Sequence, residues 1–430
     1  MKYYLSEATA RSEQFNPRYF LALANLLGED HKLQRITTLA EIKEPGWLYP
    51  ILLGSQYRVS RKLSAVKGKG IVYFDAIDDK DRKAIALGRG IVTLDMIPEC
   101  VFPREEIFAG IHEGLVECGI PASQLCILNG NIPSERLYNE YCSRQGIEPQ
   151  KRVRIIPFHG CLWLLLAHNQ RPADDVASHA ILEESRNSLS GRKRSKAFVS
   201  FNGRLRPHRL HVILYLLSHG LLEKGHVSFL GYSDEGKMSE EHLRAMNSRM
   251  PFTDETSSHI SSLMERLPIT LDVRLSNFSA RDKKVIVEMP WASPDPRYYL
   301  DSYFSVVLDT IMWNAELVFL TPIIYKSIMN CHPFVYFGSH GALLEVQKMN
   351  FQTFSPFIDE SYDAIEDPNE RMRRALNEVE RLANLPLTEL HALYCELWPR
   401  LEHNFRRFWH ELPGQFSGYW RDEFVERVAV

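Results

Sequence analysis

The sequence predicts an α/β protein built from two doubly wound domains, and three observations carry that expectation. At 430 residues the chain is longer than one hydrophobic core usually supports. In both halves short apolar runs ending in Gly or Asp alternate with amphipathic helical stretches, the pattern of parallel sheets covered by helices. Between the halves lies EESRNSLSGRKRSK, polar and without apolar periodicity. These features predict a first domain over 1–182, a linker over 183–196, a second domain over 197–385 and C-terminal helices over 386–430. Two such domains facing each other imply a cleft between them, a common place for ligands; a terminal helix can also return to brace the first domain.

Taken in order, residues 1 to about 30 read as helical, with Tyr19, Phe20, Leu23, Leu26 and Leu27 on one side and a stop at Gly28. WLYPILLG and GKGIVYFDAID read as strands running into loops. RGIVTLDMIPE is a further strand and loop, EEIFAGIHEGLVECG a helix, SQLCILNGN a strand, and 134–146 a helix. RVRIIPFHGCLWLLLAH is a strand, a polar break at His159 and a second apolar run. The second half opens with AFVSFNG as a strand and LHVILYLLSHGLL as a helix, followed by the strand GHVSFLGYS. Residues 234–285 are polar and irregular, with helical pieces such as SSHISSLMERLP. SYFSVVLD and ELVFL read as β-rich, 325–330 as a helix, HPFVYFG as a strand and HGALLEVQKM as a helix. PNERMRRALNEVERLANL and LTELHALYCELWPRLEHNFRRFW are long amphipathic helices.

Composition excludes several classes of protein. A net charge of −3 argues against a chain that coats nucleic acid by overall charge. The seven cysteines are scattered and no pair has CxxC spacing, which argues against zinc and against a disulfide framework and suits a reducing cytosol. The N-terminus lacks the apolar core of a signal peptide. The longest apolar candidate, from Ile155, is only about two-thirds of a bilayer span. A cytoplasmic protein with no membrane span and no bound metal is expected.

The most informative stretch is AFVSFNGRLRPHR, 197–209, where a strand ends in Asn202 and Gly203 and then presents Arg204, Arg206, His208 and Arg209 just before a helix. Guanidinium forks match phosphate oxygens bidentately, and a helix N-terminus adds N–H groups and the favourable end of its dipole. The alternative is a solvated basic loop. Asp75 and Asp95 each follow an apolar strand, where open parallel sheets place their ligands; either is a candidate base, or a turn and capping residue. His159 is a third candidate base, or a structural histidine. The run RKRSK from Arg192 is a solvated linker or a DNA-facing patch. Trp291, Trp313 and Trp420 can stack on a base or sugar, or lie in the core.

The second half resembles glycosyltransferases of bacteria and their phages, distantly of the fucosyltransferase and exostosin types. The likeness rests on FNGRLRPHR at 201–209, on SYFSVVLDT at 302–310 with LTPIIYKSI at 320–328, and on HPFVYFGSHGALLEVQKMNFQTFSPFIDESYD at 332–363. In the family a Gly turn and helix precede Gly-Phe-x-Thr-Phe and Asp-Glu-Ser-Tyr-Asp. Phe351, Thr353, Phe354, Asp359, Glu360, Ser361, Tyr362 and Asp363 fit, with Asn350 in place of the Gly. The first half matches more loosely, through LDMIPE, an Ile-His in a helix, GIP at 119–121 and NGN at 129–131 before a helix carrying Tyr138.

This resemblance implies a GT-B fold, two Rossmann-like domains facing across a cleft, with the nucleotide sugar on the C-terminal domain and the acceptor on the N-terminal one. It implies no cofactor and no metal, the co-substrate being a UDP- or GDP-linked sugar. Arg204, Arg206, Arg209 and Lys326 become cations for the diphosphate. Asn202, His208, Thr310, Thr321 and Tyr325 complete the donor side, and Asp309 stands where the family has a Glu that can accept from ribose hydroxyls. The family's Thr-Glu-Lys reads Thr321, Pro322, Ile323 here, so one carboxylate and one cation are missing. Asp359 and Glu360 face the donor, cap the helix near Pro368, or hold a loop. The acceptor implied is a hydroxymethylated base in phage duplex DNA or a bacterial surface glycan. Two other readings stay open: a non-catalytic relative that binds a nucleotide or glycan, and an interaction protein with no small-molecule site.

Overall fold

The computed structural model describes residues 2–4, 34–36, 47–52, 74, 77–96, 105–168, 172–191, 193–233, 236–237, 239–248, 250, 253–271, 296–313 and 316–428. It is an α/β protein that divides into two compact units. The first comprises 1–168, 316–320 and 412–430, the second 169–315 and 321–411. Each is organised on its own parallel sheet.

In the first unit the strands are β1 (Lys2–Tyr4), β2 (Gln34–Ile36), β3 (Trp47–Leu52), β4 (Gly90–Met96), β5 (Leu125–Asn129) and β6 (Arg154–Pro157). They lie in the order β2-β1-β3-β4-β5-β6, all parallel. The helices are α1 (Asp79–Ala86), α2 (Glu105–Cys118), α3 (Ser134–Arg144) and α4 (Gly160–His168). All five residues of β5 are buried, as expected of an inner parallel strand covered on both faces. The second apolar run of the segment around His159 is thus a helix. The chain opens with a strand at Lys2–Tyr4, where a helix is expected over 1–30; the amphipathic stretch 18–30 lies outside the described residues. So do most of GKGIVYFDAID, Asp75 included, and Trp291.

The second unit runs α5 (Pro172–Asn187), β7 (Lys196–Arg204), α6 (Pro207–Ser218), β8 (Gly225–Ser233), β9 (Gly236–Lys237), α7 (Glu240–Asn247), α8 (Thr253–Ser257), α9 (Ile260–Arg266), α10 (Pro296–Leu300), β10 (Ser302–Leu308), α11 (Pro322–Met329), β11 (Phe334–Phe337), α12 (Ala342–Lys348), α13 (Pro368–Ala383) and α14 (Leu387–Arg406). Its sheet has the order β11-β10-β7-β8-β9, parallel except for the short antiparallel β9. All seven residues of β10 are buried. From β7 the chain proceeds outward to β8, and from β10 outward to β11 on the other side. The direction of winding therefore reverses between β7 and β10, and the carboxyl ends of those two strands form the switch point where α/β sheets bind ligands.

Helix α13 shows how local sequence sets these elements. Asp367 accepts from the N–H of Glu370, Pro368 occupies the first helical position and Glu370 the third, a start signal with side-chain and backbone parts. Met372, Ala375, Leu376, Val379, Leu382 and Ala383 then bury one stripe against the sheet. Each large aliphatic side chain in that stripe contributes about 1.5–3 kcal/mol of burial.

Three sequence expectations are corrected. Residues 183–187 belong to α5, and β7 begins at Lys196, so little of 183–196 is linker. Arg194, within the basic run, is only 2% exposed and donates to the carbonyls of Tyr299 and Ser302 and to Ser188 Oγ. ELVFL forms no strand: Leu317, Phe319 and Leu320 are buried, while Val318 donates to Asn131 Oδ1 and accepts from the N–H of Ile132. Its apolar residues dock within the first unit without joining a sheet.

The C-terminal helices are divided between the units. Helix α15 (Leu412–Trp420) returns to the first unit, where Phe416 packs on Trp163 at 4.8 Å and Trp420 on Phe158 at 6.0 Å. Beyond it, α16 (Glu426–Val428) carries Arg427, paired with Glu135 at 2.5 Å. Among the described residues no helix is long and apolar enough to cross a membrane, and no cluster of His, Cys, Asp and Glu can hold a metal.

Candidate functional site

The switch point of the second unit gathers most of the residues singled out on its side. Strand β7 delivers Arg204, whose side chain is exposed; two residues on, the half-buried Arg206 precedes α6. Pro207 takes the first helical position, and the side chain of Arg206, at the N-cap, makes no capping hydrogen bond. The helix start therefore presents its backbone donors beside two guanidinium groups.

Arg209 and His208 differ from these two in being buried. Arg209 donates from Nη1 to the carbonyl of Arg204 at 3.1 Å and from Nη2 to the carbonyl of Asp309 at 3.2 Å, bridging the ends of β7 and β10. Burial lowers its pKa to about 10; Asp309 opposes that, and the nearby charges of Arg206 and Arg204 add to it. His208 Nε2 donates to the same Asp309 carbonyl at 2.8 Å. Burial, then the positive charges of Arg209 and Arg206, bring its pKa to about 3, so its ring is neutral. Three guanidiniums close enough to perturb one another make a locally positive site that an anion relieves.

Asp309 has no accessible surface. Its Oδ1 accepts from the N–H of Thr310 at 2.5 Å, and its Oδ2 accepts from Tyr336 Oη at 2.5 Å and from the N–H of Thr321 at 3.4 Å. Burial raises its pKa, while the bonds from Thr321, Tyr336 and Thr310 act against the rise. The carboxylate expected to face a ribose is thus occupied inside the fold. Thr321 caps α11 by accepting from the N–H of Ile323, and Pro322 fills the first helical position. The Thr-Pro pair that departs from the family pattern is here a helix start.

The remaining donor-side residues fall into three kinds. Asn202, fully buried, donates to Ser200 Oγ at 3.0 Å, and its main-chain N–H reaches Ser228 Oγ at 3.3 Å. Tyr325 is also fully buried, with its hydroxyl 3.8 Å from Met349 Sδ. Thr310 and Lys326 are half-buried. Lys326 keeps some accessible surface, but its ammonium is enclosed and burial lowers its pKa to about 8.

The acidic pair resolves toward holding a loop. Glu360 accepts from the N–H groups of Phe354 and Ser355 at 2.7 and 3.0 Å, and the exposed Asp359 accepts from the N–H of Ser361 at 2.9 Å. The cap of α13 is Asp367, and neither acid serves there. Asp363 accepts from the N–H groups of Leu343 and Leu344 at the start of α12.

Of the candidate bases in the first unit, Asp75 lies outside the described residues. Asp95 is the penultimate residue of β4, and its side chain is likewise outside them. His159 sits half-buried between the carboxyl end of β6 and the start of α4. The loosely matching residues of this half meet: His112 Nε2 lies 2.9 Å from Tyr138 Oη, which accepts from the N–H of Val153. Trp420 is core, and Trp313 is half-buried.

Sequence reasoning missed Tyr336 and Arg371. Arg371, 2% exposed, donates to the carbonyls of Gly338, Ile365, Glu366 and Met312, fixing the turn after β11 to the segment after β10. The available signal for Tyr336 was Gly338, two residues on. A Cβ there would lie 2.3 Å from the Tyr336 ring, so only glycine lets the ring pass toward Asp309.

No protein-family model matches the chain, and no curated protein does. Solved structures similar to it include an α,α-trehalose-phosphate synthase (UDP-forming) from Burkholderia vietnamiensis, at 13% identity and a TM-score of 0.40 over 91% of this chain and 74% of that one. A second is an α,α-trehalose 6-phosphate synthase from Burkholderia multivorans, at 13% identity and a TM-score of 0.35 over 83% of this chain and 74% of the other.

Proposed function

We propose that the protein is a nucleotide-sugar-dependent glycosyltransferase whose donor diphosphate binds at the carboxyl ends of β7 and β10. The observation that carries this reading is the position of Arg204 and Arg206 at the start of α6, at the switch point of a parallel sheet, with Arg209 behind them. The motif resemblance of 302–310 and 332–363 to glycosyltransferases also supports it.

In the reaction an acceptor oxygen attacks the anomeric carbon, the bond from that carbon to the diphosphate breaks, and the nucleoside diphosphate leaves with the bonding pair. Arg204, Arg206 and the first turn of α6 stabilise the departing charge without a metal, and Lys326 is the further cation. With a pKa of about 8, Lys326 is still mainly protonated at neutral pH. If configuration inverts, the acceptor proton passes to a base, for which His159, Asp75 and Asp95 are the candidates. The transferred group is a hexosyl or pentosyl unit from a UDP- or GDP-linked sugar.

The acceptor is a glycan hydroxyl or a hydroxymethylated base in duplex DNA. The glycan is placed first, because Arg194 is enclosed and Lys196 donates to the Glu223 carbonyl at 2.7 Å, which weakens RKRSK as a DNA-facing patch.

Calorimetry with UDP and GDP on the wild type and on Arg204→Ala, Arg206→Ala and Lys326→Ala tests the donor site. Binding of one nucleotide, weakened about tenfold or more by each arginine change, is expected for lost charge-assisted bonds. A wild type that binds neither nucleotide sinks the proposal. Sugar nucleotides offered with glycans and with hydroxymethylated DNA then separate the acceptors by product mass. Binding without turnover on any pair would favour the non-catalytic reading.

A further inference from the structure

We propose that Asp309 is a positioning residue: it fixes the cationic loop Arg204–Arg206 to the end of β10 without touching the ligand. This rests on the donor site proposed above and replaces the ribose contact that the resemblance implies. The argument turns on one peptide unit, between Asp309 and Thr310. Its N–H is held by Asp309 Oδ1 at 2.5 Å, and its carbonyl receives His208 Nε2 at 2.8 Å and Arg209 Nη2 at 3.2 Å. The carboxylate therefore sets the tilt of the plane whose oxygen anchors the first turn of α6. Arg209 passes that anchor on to the carbonyl of Arg204 at 3.1 Å.

On its other side the carboxylate is held by Tyr336 Oη at 2.5 Å and by the N–H of Thr321 at 3.4 Å, which places the start of α11 on the same point. Asp309 is fully buried, so a ligand resting on the loop meets the consequences of the carboxylate and not its oxygens. The titratable groups facing it are His208 and Arg209 on α6 and Tyr336 on β11, with Asp363 and Tyr325 acting in turn on Tyr336. A buried carboxylate satisfied by three donors is rigid, and rigidity in the support of a binding loop lowers the ordering cost of binding.

The test uses two probes, UDP and inorganic pyrophosphate, which has no ribose. Affinities are measured by calorimetry for the wild type, Asp309→Asn and the milder Tyr336→Phe, with thermal unfolding of each variant as a check on folding. Both variants are expected to weaken both probes by the same factor, about tenfold, as for one lost hydrogen bond to a charged group. Tyr336→Phe removes a bond that favours the ionised carboxylate. The acid limb of pyrophosphate affinity is therefore expected at higher pH than in the wild type, the ligand's own protonation being common to both. Loss of UDP affinity with pyrophosphate affinity unchanged would make Asp309 a ribose ligand and overturn this inference alone. Unchanged affinities for both probes, with the arginine variants still defective, would overturn it as well. UDP is replaced by GDP if calorimetry shows GDP to be the nucleotide bound, and a wild type that binds neither nucleotide nor pyrophosphate would overturn the donor site with it.

Discussion

The guanidinium of Arg194 lies 3.9 Å over the ring of Tyr394, in the interior of the second unit. It is a buried cation that meets neutral groups: two carbonyls, one hydroxyl and the faces of Tyr394 and Tyr303. It ties the turn after α5, helix α10, the start of β10 and α14 together.

Removing that cation should be among the more damaging single changes. Arg194→Met keeps the bulk but leaves the Tyr299 carbonyl without this donor; a loss of about 2–4 kcal/mol is expected from several buried hydrogen bonds. Urea unfolding should show a lower midpoint at unchanged slope. A midpoint within error of the wild type would mean the packing alone carries this region.

Two buried histidines set an acid limb. His332, held by Ser305 Oγ and the Ser302 carbonyl, and His208 both have folded pKa values of about 3, against an ordinary 6.5, because burial disfavours the charged ring. The unfolded chain takes up protons below about 6.5 while the folded one does not. Their contribution is therefore complete above about 6.5 and declines as the pH falls toward 3, by up to about 1.4 kcal/mol per pH unit for each ring. Urea midpoints from pH 8 to pH 5 should be level at first and then fall, and His208→Asn should reduce the slope. Equal midpoints across that range would contradict neutral, enclosed rings.

The docking of 316–320 should depend on Asn131. Its Oδ1 accepts from the N–H of Val318 at 2.9 Å, and its Nδ2 reaches the Glu316 carbonyl at 3.5 Å. Asn131→Ala is expected to destabilise the protein by about 1–2 kcal/mol, the range for a buried amide left without its acceptor. Hydrogen exchange at Val318 should accelerate more than at residues of β5. Unchanged exchange at Val318 would show that burial of Leu317 and Phe319 holds the segment unaided.

Gly338→Ala should cost stability through one identifiable clash. The new Cβ falls within 2.3–2.5 Å of the Tyr336 ring and hydroxyl, so the ring must move away from Asp309. Overpacking of this kind costs about 1–3 kcal/mol. In a Tyr336→Ala background the same change should cost far less, and the double-mutant cycle reads the difference. Additive effects would place the strain elsewhere.

Much of the fold was legible. Apolar runs ending in Gly, Asp or Asn marked β4, β5, β7, β8, β10 and β11, because parallel strands buried on both faces need continuous apolar sequence. The helix read from Pro368 is α13, though its cap is Asp367 and not Asp359 or Glu360. The misreadings share a cause: ELVFL has strand-like residues but pairs with the side chain of Asn131, and EESRN looks like a linker but is the polar end of α5. Local pattern reports what a segment prefers, and distant partners decide what it does.

For the candidate site, the sequence by itself determined where the basic side chains lie: a strand, then Arg204, Arg206, His208 and Arg209, then a helix, expected from Leu210 and found to begin already at Pro207. Chemistry and spacing suffice for the order strand, basic residues, helix. Only the tertiary structure decided which charges face outward. Arg209, His208 and Asp309 carry the same formal chemistry as their neighbours, yet they are turned inward to fasten β7 to β10. That assignment depends on strand order, which brings residues a hundred positions apart to one sheet edge and which no local pattern encodes.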